Sequence, residues 1–271
     1  MKKLPSLIAV IHLPPLGGSP GASSVHPADA LQEAGLHAVR EAKILTQAGF
    51  DGIILENFGD VPFYKDHVPA ETVASMSVIA AAVREATRLP LGINILRNDA
   101  RAALAIAAVT GCDFIRVNVL SGVAATDQGI IEGSAAELLR ERDRLGVDVQ
   151  IFADTHVKHA RSLSSDDLAL GVEETGLRAG ANAVIVTGAT TGRTMDLNQL
   201  KVASQSARTH RIPLYVGSGV TPENSKEIRA LVYGVIVGST LRKGGKAGAP
   251  LDAARIKKFV KAWKTKGKRG R

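Results

Sequence analysis

Cysteine is almost absent: the 271-residue chain has one, Cys112. A single thiol closes no internal disulfide, so the fold rests on packing, as is usual in a reducing compartment. Aromatic residues make up only 4%, which argues against the aromatic-plus-basic grooves on which single-stranded nucleic acids stack. Long apolar runs are also lacking; no stretch approaches the roughly 18 residues that a membrane-spanning helix needs. The Met1-Lys2-Lys3 start loosely imitates a secretion signal. However, Pro5, His12, Pro14 and Pro15 interrupt the apolar run behind it and no small-residue cleavage site follows, so the run reads as a first strand. Missing too are the Cys/His spacing of zinc sites, the serine nucleophile elbow, the phosphate-loop pattern G-x-x-x-x-G-K-[ST] and the dinucleotide fingerprint G-x-G-x-x-G. The corresponding metal, hydrolase and nucleotide-binding classes lose their support.

Acidic residues are missing from one segment. Between Arg255 and Arg271 nine residues are Lys or Arg and none is Asp or Glu, and without those nine the net charge of +8 becomes −1. The basic character therefore belongs to the C-terminus. It reads as a solvated last helix with a frayed tail, or as an attachment to an anionic surface. No specific nucleic-acid binding is expected. Residues 1–264 are expected to form one domain and residues 265–271 a basic tail, with the protein cytoplasmic or peripheral at a membrane surface.

What the chain has in plenty is alternation. Eight apolar runs read as strands: Leu7–Leu13, Gly52–Glu56, Leu91–Leu96, Phe114–Val119, Val149–Asp154, Ala183–Thr187, Pro213–Gly217 and Gly234–Val237. They alternate with eight helical stretches: Ala28–Ala48, Glu71–Arg88, Ala100–Thr110, Ala135–Leu145, Asp166–Ala179, Leu197–Thr209, Pro222–Ala230 and Leu251–Lys264. Ser134-Ala135-Ala136-Glu137 and Asp196-Leu197-Asn198-Gln199 have capping-box spacing or its Asp variant, and Thr221-Pro222 sets a cap residue before a proline. Gly49, Gly111, Gly146 and Gly180 stand where helices should stop. Strict β-α alternation predicts parallel strands with right-handed crossovers, and eight units in this length predict a (β/α)8 TIM barrel; a doubly wound open sheet is the alternative.

Helix-to-strand joints are terse, whereas the strand-to-helix joints His12–Pro27, Asn57–Ala70, Leu120–Gly133, Thr155–Ser165 and Gly188–Thr194 are long. In a barrel this places the elaborated loops on the C-terminal face of the strands, where active sites of the fold lie. Two glycine turns follow the last two predicted strands. Val216-Gly217-Ser218-Gly219-Val220-Thr221 leads toward a helix start, and Val235-Ile236-Val237-Gly238-Ser239-Thr240 repeats the theme. Bare backbone N–H groups at such turns suit a phosphate, with Gly217, Ser218, Gly219, Gly238 and Ser239 as the expected contacts.

Polar residues at strand ends supply candidate chemistry. Asp154, His156 and Lys158 share a parity at the fifth predicted strand; a carboxylate and an imidazole two apart can ligate a metal or exchange a proton, and Lys158 can hold an anion or act as a nucleophile. Glu56 and His12 end the second and first strands and complete the catalytic candidates. Asn94, Arg116, Asn118, Thr187 and Gly188 are the candidate substrate contacts. Arg116, inside an apolar run, must face a pocket or be paired, with Asp154 as the available partner. No cofactor is required by the sequence; a divalent metal would find candidate ligands in Asp154, His156 and His12. Phe58, Phe63 and Tyr64 cluster in one loop, as a lid or a contact with another copy of the chain or a partner.

Ile11-His12-Leu13-Pro14-Pro15-Leu16-Gly17, Gly52-Ile53-Ile54-Leu55-Glu56-Asn57-Phe58-Gly59-Asp60, Phe114-Ile115-Arg116-Val117-Asn118, Asp154-Thr155-His156-Val157-Lys158-His159 and the turn after Val216 resemble the BtpA/SgcQ family, from Ile8 to about Phe259. The resemblance implies a ribulose-phosphate-binding barrel. It also implies two functional directions, since one branch is named for photosystem I biogenesis at a membrane and another accompanies sugar transport and sugar-phosphate enzymes. The expected function is an enzyme acting on a phosphorylated small metabolite, first of all a sugar phosphate, with isomerase, epimerase, lyase and hydrolase chemistry all open. The alternative is a non-catalytic biogenesis or stability factor for a membrane complex. A homo-oligomer fits either.

Overall fold

The computed structural model describes residues 4–155, 160–188 and 196–265. In order the chain forms β1 (Leu7–His12), α1 (Pro27–Ala48), β2 (Gly52–Glu56), α2 (Ala70–Ala86), β3 (Leu91–Asn94), α3 (Ala100–Thr110), β4 (Phe114–Val117), β5 (Val123–Thr126), β6 (Gly129–Glu132) and α4 (Ala135–Leu145). It continues with β7 (Gln150–Thr155), β8 (Ala160–Ser162), α5 (Leu168–Glu173), β9 (Ala183–Val186), α6 (Leu197–Thr209), β10 (Leu214–Val216), α7 (Ser225–Leu231), β11 (Gly234–Val237) and α8 (Ala253–Lys264). Eight parallel strands close into a barrel in the order β1-β11-β10-β9-β7-β4-β3-β2. The predicted (β/α)8 barrel is the observed fold, and the open sheet is excluded by the pairing of β1 with β11.

Two apolar layers hold it. Between strands and helices lies an aliphatic shell, including Ala34, Ala38, Leu45, Ile53, Ile79 and Val83. Inside the barrel, Ile8, Val10, Ile54, Ile185 and Ile236 pack with a short stack of rings: Phe114 and Phe152 with centroids 4.7 Å apart, then Phe152 and Tyr215 at 5.0 Å. Three of the ten aromatics thus meet at the barrel floor. Gly92 makes the room: a Cβ there would lie 2.3 Å from the Phe114 ring. The Tyr215 hydroxyl is satisfied by donating to the Pro5 carbonyl at 2.8 Å, as a buried phenol requires.

Helices α1, α3 and α4 end on left-handed Gly49, Gly111 and Gly146, as predicted. Asp196 caps α6 by accepting from the Asn198 and Gln199 N–H groups. Four expectations need correction. Ser134 precedes α4 without a side-chain cap bond. The helix after Thr221-Pro222 starts only at Ser225, because Asn224 folds back to accept from the Thr221 N–H and to donate to the Gly219 carbonyl. The predicted helix 166–179 is a short α5 that widens into a π-helical turn, Glu174–Arg178. The joints 120–133 and 155–165 contain strands: β6, β5 and β8 form an antiparallel sheet in that order beside the barrel mouth.

Candidate active site at the barrel mouth

Residues alternate across each strand, so the interior series can be followed from floor to mouth. Val10 leads to His12, Ile54 to Glu56, Gly92 to Asn94, Phe114 to Arg116, and Phe152 to Asp154. The same step takes Ile185 to Thr187, Tyr215 to Gly217 and Ile236 to Gly238. One half of the mouth is therefore lined by polar side chains and the other by nearly bare backbone. The register sets His12 beside Glu56 and Glu56 beside Asn94.

Arg116 and Asp154 form a buried pair. The guanidinium donates through Nε to Oδ2 at 3.0 Å and through Nη2 to Oδ1 at 2.9 Å, and the Asn118 amide donates to Oδ2 at 2.7 Å. Burial works against the charge on Arg116, but the Asp154 carboxylate outweighs it and holds the group above its usual value. Both Asp154 oxygens are thus engaged by donors, one of them cationic, which disfavours a metal ion at that carboxylate. Among the described residues no group of three or more His, Cys, Asp or Glu could hold a metal ion. Asn94 donates to the Arg116 carbonyl at 3.2 Å and toward Asn118 Oδ1 at 3.4 Å, while its own Oδ1 is buried and receives no hydrogen bond.

Across the mouth lies a cleft bordered by His12, Glu56, Phe58 and Arg116 on one side and by residues 217–220 and 236–240 on the other. The bare positions are necessary. A Cβ on Gly217 would stand 2.7 Å from Ile185 Cγ2 and 3.4 Å from Arg116 Nη2, and one on Gly238 would stand 2.9 Å from the His12 ring. The Ser218 hydroxyl accepts from the Gly188 N–H at 2.9 Å and so ties the turn after β9 to the turn after β10. Thr240 donates to the Val220 carbonyl and ties the turn after β10 to the turn after β11.

His12 stacks obliquely on Phe58, with centroids 4.5 Å apart, and its Nδ1 accepts from the Gly248 N–H at 3.3 Å. An accepting Nδ1 leaves the proton of the neutral ring on Nε2, the nitrogen nearest Gly238. Glu56 is 5% exposed, and no hydrogen bond from a described residue engages its carboxylate. Of the loop aromatics, Phe58 reaches the cleft, whereas Tyr64 is 60% exposed. The loop is anchored: Asp60 accepts from the Leu16 N–H and from Asn57, and Asp99 accepts from the Val68 N–H. Cys112 lies away from the mouth in the aliphatic shell, and burial pushes its thiol up to about 11, too high for a reactive thiolate.

The structure thus joins His12, Glu56, Arg116, Gly217, Ser218, Gly219, Gly238 and Ser239 in one cleft. Asp154 and Asn118 stand behind Arg116, and Thr187 and Gly188 border the turn after β9. His156 and Lys158 lie outside the described residues. Three charged residues, Arg97, Glu41 and Arg242, escaped the sequence reading. Arg97, just after β3, is buried near Asp154, Asp127, Arg116 and Glu56; burial lowers its pKa against the pull of Asp154. Glu41 of α1 pairs with the fully buried Arg242, Nη1 to Oε1 and Nη2 to Oε2 at 2.8 Å each. Arg242 follows the Ser239–Leu241 3-10 turn, so this pair braces the last glycine turn from behind. Glu41 had a signal: it falls in the apolar stripe Ala34, Ala38, Ala42, Leu45 of its helix.

A family model for the BtpA family matches residues 3–265. The chain belongs to the BtpA family. Among its relatives, an uncharacterized protein of Methanocaldococcus jannaschii is 46% identical over 260 residues, covering 96% of this chain and 95% of the relative. The photosystem I biogenesis protein BtpA of Synechocystis is 42% identical over 261 residues, covering 94% and 87%. Among solved structures, the phosphoribosyl anthranilate isomerase of Thermus thermophilus superposes with a TM-score of 0.58 at 11% identity, covering 94% of this chain and 97% of that one. At that identity the likeness shows the barrel alone. No helix among the described residues of this BtpA-family chain is long and apolar enough to cross a membrane.

Proposed function

We propose that the protein is an enzyme acting on a phosphorylated small metabolite, first of all a sugar phosphate. The observation that carries this reading is one cleft in which two backbone turns face a carboxylate and an imidazole on neighbouring strands. The turns at Gly217–Gly219 and Gly238–Ser239 would take the phosphate through backbone N–H groups and the Ser218 and Ser239 hydroxyls. Arg116 commits Nε and Nη2 to Asp154, leaving Nη1 for the ligand. Glu56, a carboxylate without a hydrogen-bonding partner among the described residues, would abstract a proton from the carbon next to a carbonyl. The His12 Nε2–H would donate to the carbonyl oxygen as negative charge develops there. Base and donor on adjacent strands favour proton-transfer chemistry, isomerisation or epimerisation, over hydrolysis. Asp154 then acts as the positioning partner of Arg116.

Thermal-shift titration tests the anchor. Inorganic phosphate or a sugar monophosphate at 100 times its Kd should stabilise the protein by about 2.7 kcal/mol. Gly238→Val, which pushes a side chain against His12, should abolish the response. Silence toward every phosphorylated compound at millimolar concentration would overturn the reading.

A second reading, attachment to a membrane complex, is favoured by the name of the Synechocystis relative and by α8. That helix buries Ile256, Phe259 and Trp263 against the barrel and exposes Arg255, Lys257, Lys258, Lys261 and Lys264. Cosedimentation with vesicles rich in phosphatidylglycerol, lost at high salt and in the triple variant Lys257→Glu, Lys258→Glu, Lys261→Glu, is the result this reading requires. No cosedimentation at low salt removes it.

A further inference from the structure

A second cavity lies on the far side of the Arg116–Asp154 pair. It is a half-open pocket between the start of the antiparallel sheet, the end of β7 and the π-helical turn after α5. Asp154 and Asn118 belong to its wall, as Arg116 and the glycine turns belong to the phosphate cleft. The Arg116–Asp154 pair therefore borders both spaces.

The chemistry of this wall differs from that of the cleft. Ser121, Ser162, Ser164, Ser165, Thr155 and Thr175 line it. Ser164 Oγ accepts from the Val123 N–H at 2.9 Å, Ser162 Oγ from the Ser165 N–H at 3.3 Å, and Ser165 Oγ from the Asp167 N–H at 3.0 Å. A hydroxyl oriented by an accepted bond still has its own O–H to donate. The Ser121 and Thr175 hydroxyls lie 3.3 Å apart. Acceptors stand among these donors: the Glu174 and Asp154 carboxylates. None of the described residues that line the cavity is basic. Interleaved donors and acceptors match alcohols, which both donate and accept, and the Glu174 carboxylate opposes a second phosphate.

Two features of the backbone serve this cavity and are not required by a (β/α)8 barrel. The sheet of β5, β6 and β8 is assembled from two separate strand-to-helix joints and roofs it. The π-helical turn contributes Glu174 and Thr175 to it, and such turns are frequent at functional sites.

We propose that this cavity binds the uncharged, hydroxyl-bearing end of the substrate while the glycine turns bind its phosphate, so that the substrate is a polyhydroxylated monophosphate. The proposal rests on the phosphate reading of the cleft and adds the chemical class of the other end. It also assigns Ser121, Thr175 and Glu174 as specificity residues.

The test is calorimetric titration of the full chain with inorganic phosphate, ribose 5-phosphate, fructose 6-phosphate and fructose 1,6-bisphosphate. At least one sugar monophosphate should bind more tightly than inorganic phosphate, and the bisphosphate more weakly than fructose 6-phosphate. In the double variant Ser121→Ala, Thr175→Val both members of a hydroxyl pair are replaced by apolar groups of similar shape, a change that is close to neutral for folding. Its affinity for inorganic phosphate should stay within about twofold, and that for the preferred sugar monophosphate should fall about tenfold, the worth of one or two neutral hydrogen bonds. Ala160→Leu, which adds bulk to the same cavity without removing a hydrogen bond, should act alike. Unchanged sugar-phosphate affinity in both variants, no preference for sugar monophosphates over phosphate, or tighter binding of the bisphosphate would each overturn the proposal and leave the phosphate reading intact. If neither inorganic phosphate nor any of the sugar phosphates binds, both fall.

Discussion

Replacing Asp154 with Ala should destabilise the protein by about 3–5 kcal/mol, seen as a lower urea midpoint at pH 7. The side chains of Arg116 and Asp154 are 2% and 0% exposed, so water cannot solvate the guanidinium once its partner is gone. Leaving one charge of a buried pair uncompensated costs far more than the pair contributes in net terms. The double variant Arg116→Met, Asp154→Leu removes both charges and should recover most of the loss. A single variant as stable as the parent would mean that Arg116 has another anion to turn to. The expectation also bears on how activity data are read. Loss of turnover in Asp154→Ala would follow from a misplaced Arg116 and would not by itself make Asp154 the group that handles the proton.

Glu56→Gln should behave in the opposite manner. Its carboxylate has no hydrogen-bonding partner among the described residues, so the amide should leave the melting temperature close to that of the parent and phosphate binding intact. Proton transfer should fall by about 10²–10⁴-fold, the usual worth of a positioned acid or base. The measurement is deuterium uptake from D2O into the carbon-bound positions of sugar phosphates that stabilise the protein, followed by NMR. Uptake at the parental rate would remove Glu56 from the mechanism and shift attention to His12.

Much of this architecture could be read from residue patterns. Gly52–Glu56, Gly234–Val237, Ala100–Thr110, Ala135–Leu145 and Leu197–Thr209 have the same limits as predicted and as observed, because each is a clean periodic run between turn residues or caps. The period of two also foretold which polar residues face inward, and the suggestion that Arg116 pairs with Asp154 is what the structure shows. The antiparallel sheet was illegible for a physical reason. Val123–Thr126 and Gly129–Glu132 are only four residues each, and their connection, Asp127-Gln128, lacks the Asn-Gly or Asp-Gly signature of a tight hairpin. Its stability comes from contacts distant in sequence, such as the pairing of Thr126 with Ala160. Arg97 was passed over because nothing local distinguishes an arginine buried at a strand end from one dissolved in a loop. The early end assigned to the turn after β10 came from giving Pro222 the weight that Asn224 carries in the folded chain.

The pairing of Glu41 with Arg242 spans 201 residues and has a consequence for the way the molecule comes into being. On a ribosome, the last glycine turn emerges long after the first helix has left the tunnel, and its brace exists only when the two ends of the chain meet. The barrel could be nearly complete in outline and still lack a rigid anion site until that closure. By the same logic a fragment beginning at β4 would keep both glycine turns yet carry Arg242 without its carboxylate. Half of this barrel is therefore not half of its function.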